Sequence, residues 1–172
     1  KKSIDKFLPR SFNMGIKKNA FDEVDGFSDI RQYGEDLDLS YKLLFSGKMS
    51  GLIADAKVYH KRRTNLYNFF QQMFKSGKGR HYLNIKYKGT FRFFHLFPTF
   101  FVLGFFISNI SDIFFQNDYV SLVQSLYGFY FFLIFLSSTI INFNPIIGIL
   151  SVITSFVQFL GYGTGYIYSQ FK

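Results

Sequence analysis

Residues 93–115 read FFHLFPTFFVLGFFISNISDIFF, and this stretch decides what kind of fold the chain can adopt. As an α-helix its 23 residues extend ~35 Å, which is enough to cross the ~30 Å hydrocarbon core of a bilayer. Two further runs of the same character follow at residues 119–141 and 146–168. We therefore predict a membrane region of about three transmembrane helices over residues 93–172.

Short polar turns separate these runs, with QND beginning at Gln116 and NFNP occupying residues 142–145. Pro145 suits the first turn of the third helix, where a backbone N–H is not needed for an intrahelical hydrogen bond. The first run contains one acidic residue, Asp112. Two explanations of Asp112 stay open: a position near the headgroups beside the polar turn, or a buried functional carboxylate.

Charge is distributed very unevenly along the chain. Of the 20 Lys and Arg residues, 19 lie at or before Arg92, and the last 80 residues carry only Asp112, Asp118 and Lys172 as charged side chains. The positive-inside rule then predicts a multi-pass protein of the cell (inner) membrane with residues 1–92 in the cytoplasm. Anionic lipid accounts for the net charge of +9 without a nucleic-acid partner. Because the chain has no Cys, disulfides and Cys-based zinc sites are excluded.

Residues 66–92 form a predicted amphipathic segment ahead of the membrane region. Its apolar residues recur at helical spacing: Leu66, Phe69, Phe70, Met73 and Phe74. This pattern is typical of a helix that lies on the membrane surface, although a core helix of a soluble domain has the same spacing. We favour the interfacial helix because a membrane span follows so closely.

Residues 1–65 predict a small α/β segment. Residues 20–24 place apolar side chains on one face of a short helix, which Gly26 ends. A second helix covers residues 35–47, where the final Gly favours a left-handed backbone. The sequence MSGLIADAKVYH, residues 49–60, then predicts a short β-strand.

Three carboxylates, those of Glu35, Asp36 and Asp38, crowd the first turn of the second predicted helix. Acidic side chains at a helix start accept hydrogen bonds from unpaired backbone N–H groups and interact favourably with the helix dipole, so helix capping explains them. The same dipole keeps a carboxylate ionised, which also suits a general base. The turn by itself does not choose between these two roles.

Four motifs in order give this acidic turn a context: SFNMGIKKNAFDEVDGF, GEDLDLSYKLLFSG, ADAKVYH and QQMFKSGKGR. Over residues 8–82 their order resembles the C-terminal half of the catalytic domain of family 2 glycosyltransferases, which have the GT-A fold. That family carries an Asn-containing stretch, a Gly-Gly-Phe turn, a Glu-Asp pair and a strand ending in His. The resemblance implies a partial GT-A-like α/β catalytic domain at residues 1–65, followed by the interfacial segment and the transmembrane helices.

The resemblance also implies roles for single residues. Asp36 would be the general base that deprotonates the acceptor hydroxyl, and Glu35 beside it would shape the acceptor site. His60 would complete the coordination of a divalent metal, Mg²⁺ or Mn²⁺, on the diphosphate of a sugar nucleotide, although a His at a strand end is more often structural. Four further residues are candidates for substrate binding: Asn13, Arg62, Arg63 and Arg80. For the arginines a solvated or headgroup-facing charge run explains the sequence at least as well.

The chain also departs from the family pattern. Processive members carry a Gln-x-x-Arg-Trp motif, whereas this chain has no Trp, and its QQMFKSGKGR resembles the non-processive, polysaccharide-assembling type instead. The family's Asp-x-Asp motif, which supplies the main metal carboxylates, does not precede Asn13. The chain begins with Lys1 and its first Met is Met14, so we expect these ligands in a nucleotide-binding half upstream of residue 1.

Together these observations predict a membrane-bound inverting glycosyltransferase, of which this chain is the C-terminal portion. It would transfer a sugar from a nucleotide-sugar donor to a glycan or lipid-linked acceptor, and alone it would be inactive. A non-catalytic membrane module that binds lipid or a partner, or a truncated transferase, would explain the charge segregation equally well. Such a module would not explain the ordered Asn, Gly-Phe, Glu-Asp and His residues.

Overall fold

The computed structural model describes residues 8–9, 11–28, 34–60, 64–115 and 117–171. It contains six α-helices: α1 (Lys18–Glu23), α2 (Glu35–Phe45), α3 (Leu66–Lys86), α4 (Phe97–Phe114), α5 (Asp118–Asn142) and α6 (Pro145–Tyr168). Short 3₁₀ turns lie at Ser11–Asn13, Phe93–Leu96 and Ser169–Phe171. The chain forms two compact units, the first from residues 1–63 and 79–91 and the second from residues 64–78 and 92–172. Helix α3 contributes residues to both units.

The predicted α/β fold class is wrong. The structure is 75% helical, and no β-strand forms within the described ranges. The segment predicted as a strand, residues 49–60, has a turn at residues 54–55 and is exposed over residues 51–60. A strand is stable only when a neighbour satisfies its backbone hydrogen bonds, and the described chain offers this segment no such neighbour. The described residues therefore form no GT-A-like sheet, and the fold is helical.

The first unit is built around α2. Leu37, Tyr41 and Leu83 are buried together, and Leu8 and Tyr87 pack against them in part. Each such aliphatic side chain removed from water stabilises the fold by about 1.5–3 kcal/mol. The packing joins one face of α2 to the last two turns of α3. It thereby fixes the position of the acidic first turn.

Two glycines define the ends of α2. Gly34 precedes the helix with a φ of 105°, a left-handed conformation that only Gly adopts at little cost. A Cβ atom at Gly34 would lie 3.3 Å from Leu83 Cδ1 and 3.8 Å from Gly79 Cα, so the helix start sits close to α3. At the other end Gly47 has a φ of 77°, and the Lys48 N–H donates to the Leu43 carbonyl at 2.9 Å. This is the glycine-terminated helix end that the sequence predicts.

The second unit is held together by aromatic side chains from α4, α5 and α6. Phe101 lies with its ring centroid 4.9 Å from that of Tyr127 and 4.6 Å from that of Phe159. The Tyr127 hydroxyl donates to the Phe101 carbonyl at 2.8 Å. The ring centroids of Phe105 and Phe156 are 5.1 Å apart. The Phe101–Tyr127 and Phe105–Phe156 pairs are edge-to-face, and such pairs add about 0.5–1.5 kcal/mol each to the burial of their area.

Glycines allow the first part of α3 to pack backbone to backbone against α6. A Cβ at Gly161 would lie 2.9 Å from the Phe70 carbonyl oxygen, and one at Gly165 would lie 2.9 Å from Phe74 Cα. On the α3 side, Gly77 lies against the backbone of Tyr162. Small residues give helices this close approach in lipid, where packing and not the hydrophobic effect drives association. The first part of the segment predicted to rest on the membrane surface thus contacts α6, and its location at the membrane surface stays a prediction.

Three helices are long and apolar enough to cross a membrane: Phe93–Phe114, Asp118–Asn142 and Pro145–Phe171. The predicted three spans correspond to these helices. The caps follow the sequence: the Asn117 side chain accepts from the Val120 N–H at 3.0 Å, and the Asn144 side chain accepts from the Ile146 N–H at 2.9 Å. No residue of α5 is buried, which suits side chains that face lipid.

Replacing Gly165 by Ala tests the glycine packing. The new methyl group would overlap the Phe74 backbone, and overpacking of this kind costs about 1–3 kcal/mol. We expect Gly165→Ala to lower the thermal unfolding midpoint of the detergent-solubilised protein. Gly128→Ala in α5 is the matched control, because nothing lies within 4 Å of a Cβ at that position. Equal midpoints for the two variants would contradict the packing described.

Candidate functional site: the acidic turn of helix α2

The candidate site lies at the start of α2, where Glu35, Asp36 and Asp38 occupy the first turn. Asp36 is only 9% exposed, and its Oδ1 accepts from the Leu37 N–H at 2.7 Å. Glu35 is more accessible and begins the helix. Backbone N–H groups and the helix dipole both favour negative charge here. The structure thus keeps both predicted roles of Asp36 available, helix capping and proton acceptance.

Asp38 is the most completely buried charge in the described chain, with no exposed surface. Its Oδ1 accepts from Lys86 Nζ at 2.6 Å and from the Tyr87 hydroxyl at 2.8 Å. Its Oδ2 accepts from the Ser28 hydroxyl at 2.5 Å. A buried carboxylate is tolerated when it is paired and its oxygens are hydrogen-bonded. Three donors from two other segments satisfy Asp38.

The protonation equilibria of this cluster follow from its geometry. Burial by itself would raise the pKa of Asp38, but the hydrogen bonds from Lys86, Ser28 and Tyr87 outweigh it and lower the pKa below the ordinary value of 3.8. Burial, together with its hydrogen bond to Asp38, raises the pKa of the Tyr87 phenol. Asp38 is therefore a fixed anion and Tyr87 a fixed hydrogen-bond donor at neutral pH.

A second contact joins the Gly-Phe turn to α2. Lys42 Nζ donates to the Gly26 carbonyl at 3.0 Å and to the Val24 carbonyl at 3.3 Å. These carbonyls belong to the turn that follows α1, and the turn leads directly into Ser28, which donates to Asp38. Two of the four motifs, the Gly-Phe turn and the acidic pair, are thus neighbours in the folded first unit.

Asn13 and His60 lie together at another part of the first unit. The Asn13 amide donates to the Ala56 carbonyl at 2.9 Å, and the His60 ring stacks on that of Phe12 with centroids 5.3 Å apart and planes 11° apart. Neither contact involves α2. Both residues are exposed, and stacking on Phe12 accounts for the orientation of His60 without a ligand.

A metal site does not follow from these contacts. Within the described ranges no group of three or more His, Cys, Asp or Glu side chains is placed to hold a metal ion. His60 alone is not a sufficient ligand set, since Mg²⁺ and Mn²⁺ take about six mostly oxygen ligands. The metal role of His60 stays a prediction.

The basic candidates are placed as follows. Arg80 lies on α3, within the part that belongs to the first unit, and is partly exposed. Arg62 and Arg63 lie outside the described residues. No contact of Arg80 with the acidic turn is observed in the described chain, so its substrate-binding role, like that of Asn13, stays a prediction.

Sequence reasoning missed the anchoring role of Asp38, Ser28, Lys86 and Tyr87. A local signal for Asp38 did exist: it lies between Leu37 and Leu39, and all three side chains are buried. Lys86 and Tyr87 gave no such signal, because a cation and a phenol near a membrane are ordinary interfacial residues. Only the folded chain shows that they contact Asp38, which lies 48 positions before Lys86 and 49 before Tyr87.

These features define a class of protein: a helical chain with three helices able to cross a membrane and a carboxylate-bearing helix start anchored by the ion pair of a buried carboxylate. The family model described as glycosyl transferase family group 2 matches residues 12–167. The chain belongs to this family, and the resemblance drawn from its motifs is confirmed. The match covers the acidic turn, α3 and most of the membrane-crossing region together. Comparisons with curated proteins and with solved structures found no match.

The buried cluster predicts an acid-dependent loss of stability. Because folding lowers the pKa of Asp38 below 3.8, the ionised carboxylate stabilises the fold above that pH, and this contribution is lost as the pH falls through the folded-state pKa. We expect the unfolding free energy of the wild type to fall more steeply below about pH 4 than that of Asp38→Asn. Chemical unfolding in detergent at a series of pH values measures this.

The control for the acid series is Asp55→Asn, a change in an exposed carboxylate at the turn of the extended segment. It should keep the wild-type pH dependence. Parallel curves for the wild type and Asp38→Asn would show that Asp38 does not contribute as described.

Proposed function

We propose that the chain provides the acceptor-activating part of a membrane-bound inverting glycosyltransferase, which moves a sugar from a nucleotide-sugar to a glycan or lipid-linked acceptor. The observation that carries the proposal is the position of Asp36. Its carboxylate lies in the first turn of α2, at the positive end of the helix dipole, and this turn is anchored by the Asp38 cluster inside the region that the family model matches.

In the proposed reaction Asp36 removes the proton from an acceptor hydroxyl. The hydroxyl oxygen forms a bond to the anomeric carbon of the donor sugar while the bond from that carbon to the diphosphate oxygen breaks. The nucleoside diphosphate leaves with the bonding electron pair, and a single displacement inverts the configuration. Only one carboxylate is required, unlike the carboxylate pair of retaining hydrolases. Glu35, next to the base, is the candidate to contact the acceptor.

We route no step through a metal ion. A divalent metal on the diphosphate of the donor stays a prediction, with His60 as its one candidate ligand in this chain. Asn13 and Arg80 are proposed to contact the donor or a phosphate of the acceptor. Arginine suits that role because its guanidinium binds phosphate with two parallel hydrogen bonds.

A lipid-linked acceptor is favoured by the position of the site along the chain. Lys86 and Tyr87, which hold the acidic turn, precede the first candidate span by only a few residues, since that span begins at Phe93. The intervening residues are basic, with Lys88 and Arg92, and basic residues next to a span interact with anionic headgroups. By the positive-inside rule we propose a cytoplasmic location for the acidic turn.

Replacing Asp36 by Asn tests the base. The amide is close in size to the carboxylate but does not accept a proton, and general base catalysis contributes about 10²–10⁴-fold. We expect the rate of sugar transfer to fall at least ~100-fold with donor KM unchanged. The rate is measured with a panel of radiolabelled UDP-, GDP- and dTDP-sugars in membranes of source cells that carry each variant at its native locus, where any further part of the enzyme is also made. Asp22→Asn, in an exposed carboxylate of α1, is the control and should transfer at the wild-type rate.

If Asp36→Asn transfers sugar as fast as the wild type, the base assignment is wrong. If neither the wild type nor the control transfers any sugar of the panel, the non-catalytic membrane module becomes the better explanation of the chain.

The sidedness has its own test, because the chain contains no Cys. A single Cys can be introduced at Asn117, between α4 and α5, or at Lys57, in the exposed segment of the first unit. We expect a membrane-impermeant maleimide to label Asn117→Cys in intact cells, and to label Lys57→Cys only after permeabilisation. The reverse pattern would place the acidic turn outside the cell.

A further inference from the structure

Asp38 is a buried carboxylate that the proposed reaction does not use. Its two oxygens are occupied by three donors, and no part of it is exposed. It cannot contact a substrate in this state, and as a fixed anion it does not exchange a proton near neutral pH. Yet it lies two residues from Asp36, in the same helical turn. Its contribution to the site therefore has to act through the position of that turn.

Helix geometry separates the two carboxylates. Successive residues of an α-helix are rotated by about 100° about its axis, so side chains two positions apart point to nearly opposite sides. Asp38 points to the end of α3 and to Ser28, where its donors lie. Asp36 therefore emerges on the other side of the helix. A contact that fixes the direction of Asp38 also fixes the direction of Asp36.

The three donors come from two different segments, and this makes the contact an effective restraint. Ser28 follows the Gly-Phe turn, whereas Lys86 is the last residue of α3 and Tyr87 comes directly after it. Lys86 Nζ also donates to the Ser28 hydroxyl at 3.3 Å, which closes the cluster. Rotation of α2 about its axis, or a shift along it, would lengthen several of these hydrogen bonds at once and leave charge buried without a partner.

We propose that Asp38 is a positioning residue of the transferase: with Ser28, Lys86 and Tyr87 it holds the first turn of α2 so that Asp36 meets the acceptor hydroxyl. This inference rests on the proposed function, because it assumes that Asp36 is the base. It adds a set of residues with no substrate contact of their own. Displacement of a catalytic group by about 1 Å can reduce a rate by ~100-fold.

The variants Asp38→Asn and Lys86→Met each remove one charge of the pair, and both are assayed on the same membranes as Asp36→Asn. We expect kcat to fall ~10- to 100-fold in each, with the donor KM within about twofold of the wild type, since neither residue contacts the donor. Lys86→Arg keeps a cation and its donors, so it should recover most of the lost kcat. A residue that only supports folding would instead lower the amount of active enzyme in all three.

The matched control is Lys48→Met. Lys48 forms an ion pair with Glu23 in the same unit, but that pair is exposed and involves no residue of the acidic turn. Exposed ion pairs contribute little to the stability of the fold. Because this pair also lies away from the acidic turn, kcat should stay at the wild-type value. If Asp38→Asn behaves like Lys48→Met while Asp36→Asn is inactive, the positioning role is refuted and the proposed function stands. If Asp36→Asn is fully active, the proposed function fails first.

A second measurement does not need activity. Amide hydrogen exchange, followed by mass spectrometry of peptides that cover residues 34–45, reports opening of α2. We expect exchange of the helix-bonded amides, which begin at Asp38 with its bond to the Gly34 carbonyl, to accelerate at least ~10-fold in Asp38→Asn, and to stay unchanged in Lys48→Met. Wild-type exchange in Asp38→Asn would show that the cluster does not fix the turn, and would overturn the proposal even if no donor of the panel is accepted.

Discussion

The ion pair between Asp38 and Lys86 is the interaction on which the first unit depends. A carboxylate without exposed surface is compatible with folding only when its partners are in place. Satisfying Asp38 therefore brings the end of α3 and the Gly-Phe turn to the start of α2. The apolar contacts of Leu37, Tyr41 and Leu83 follow from the same arrangement. Glu35 and Asp36 have the proposed chemical roles at this turn. Their positions depend on the contacts of Asp38 with Ser28 and Lys86.

The second unit is organised by a different constraint, because helices in lipid gain nothing from hiding apolar surface. Close backbone packing and aromatic contacts hold these helices together instead. The backbone of α3 packs directly against Gly161 and Gly165, and the Phe101 ring contacts aromatic rings of α5 and α6. Helix α3 belongs to both systems, with its first residues in the second unit and its last in the first. The family model spans both units as well.

Much of this could be predicted from the sequence. Apolar runs of sufficient length, the glycine after α2 and the order of four motifs identified the membrane helices, the acidic helix and the family. The fold class was wrong because residues 49–60 have the composition of a strand, whereas a strand is created by its partner. The role of Asp38 could not be predicted, since its pairing with Lys86 joins positions 48 residues apart. The predicted roles of Asp36 and His60 came from the resemblance and not from spacing.

The lack of burial along α5 has a consequence for how this chain can diverge. No residue of Asp118–Asn142 is fully buried, and its exposed side chains, such as Leu122, Leu126 and Phe129, are constrained by solubility in lipid and not by shape. Exchanges among Leu, Ile and Val at these exposed positions alter little of the packing, whereas Phe131 contacts Phe101 and Phe156, and Gly165 and Asp38 each permit almost no replacement. Orthologues should therefore preserve the hydropathy of α5 while its residue identities drift, and sequence identity over this helix will understate their kinship.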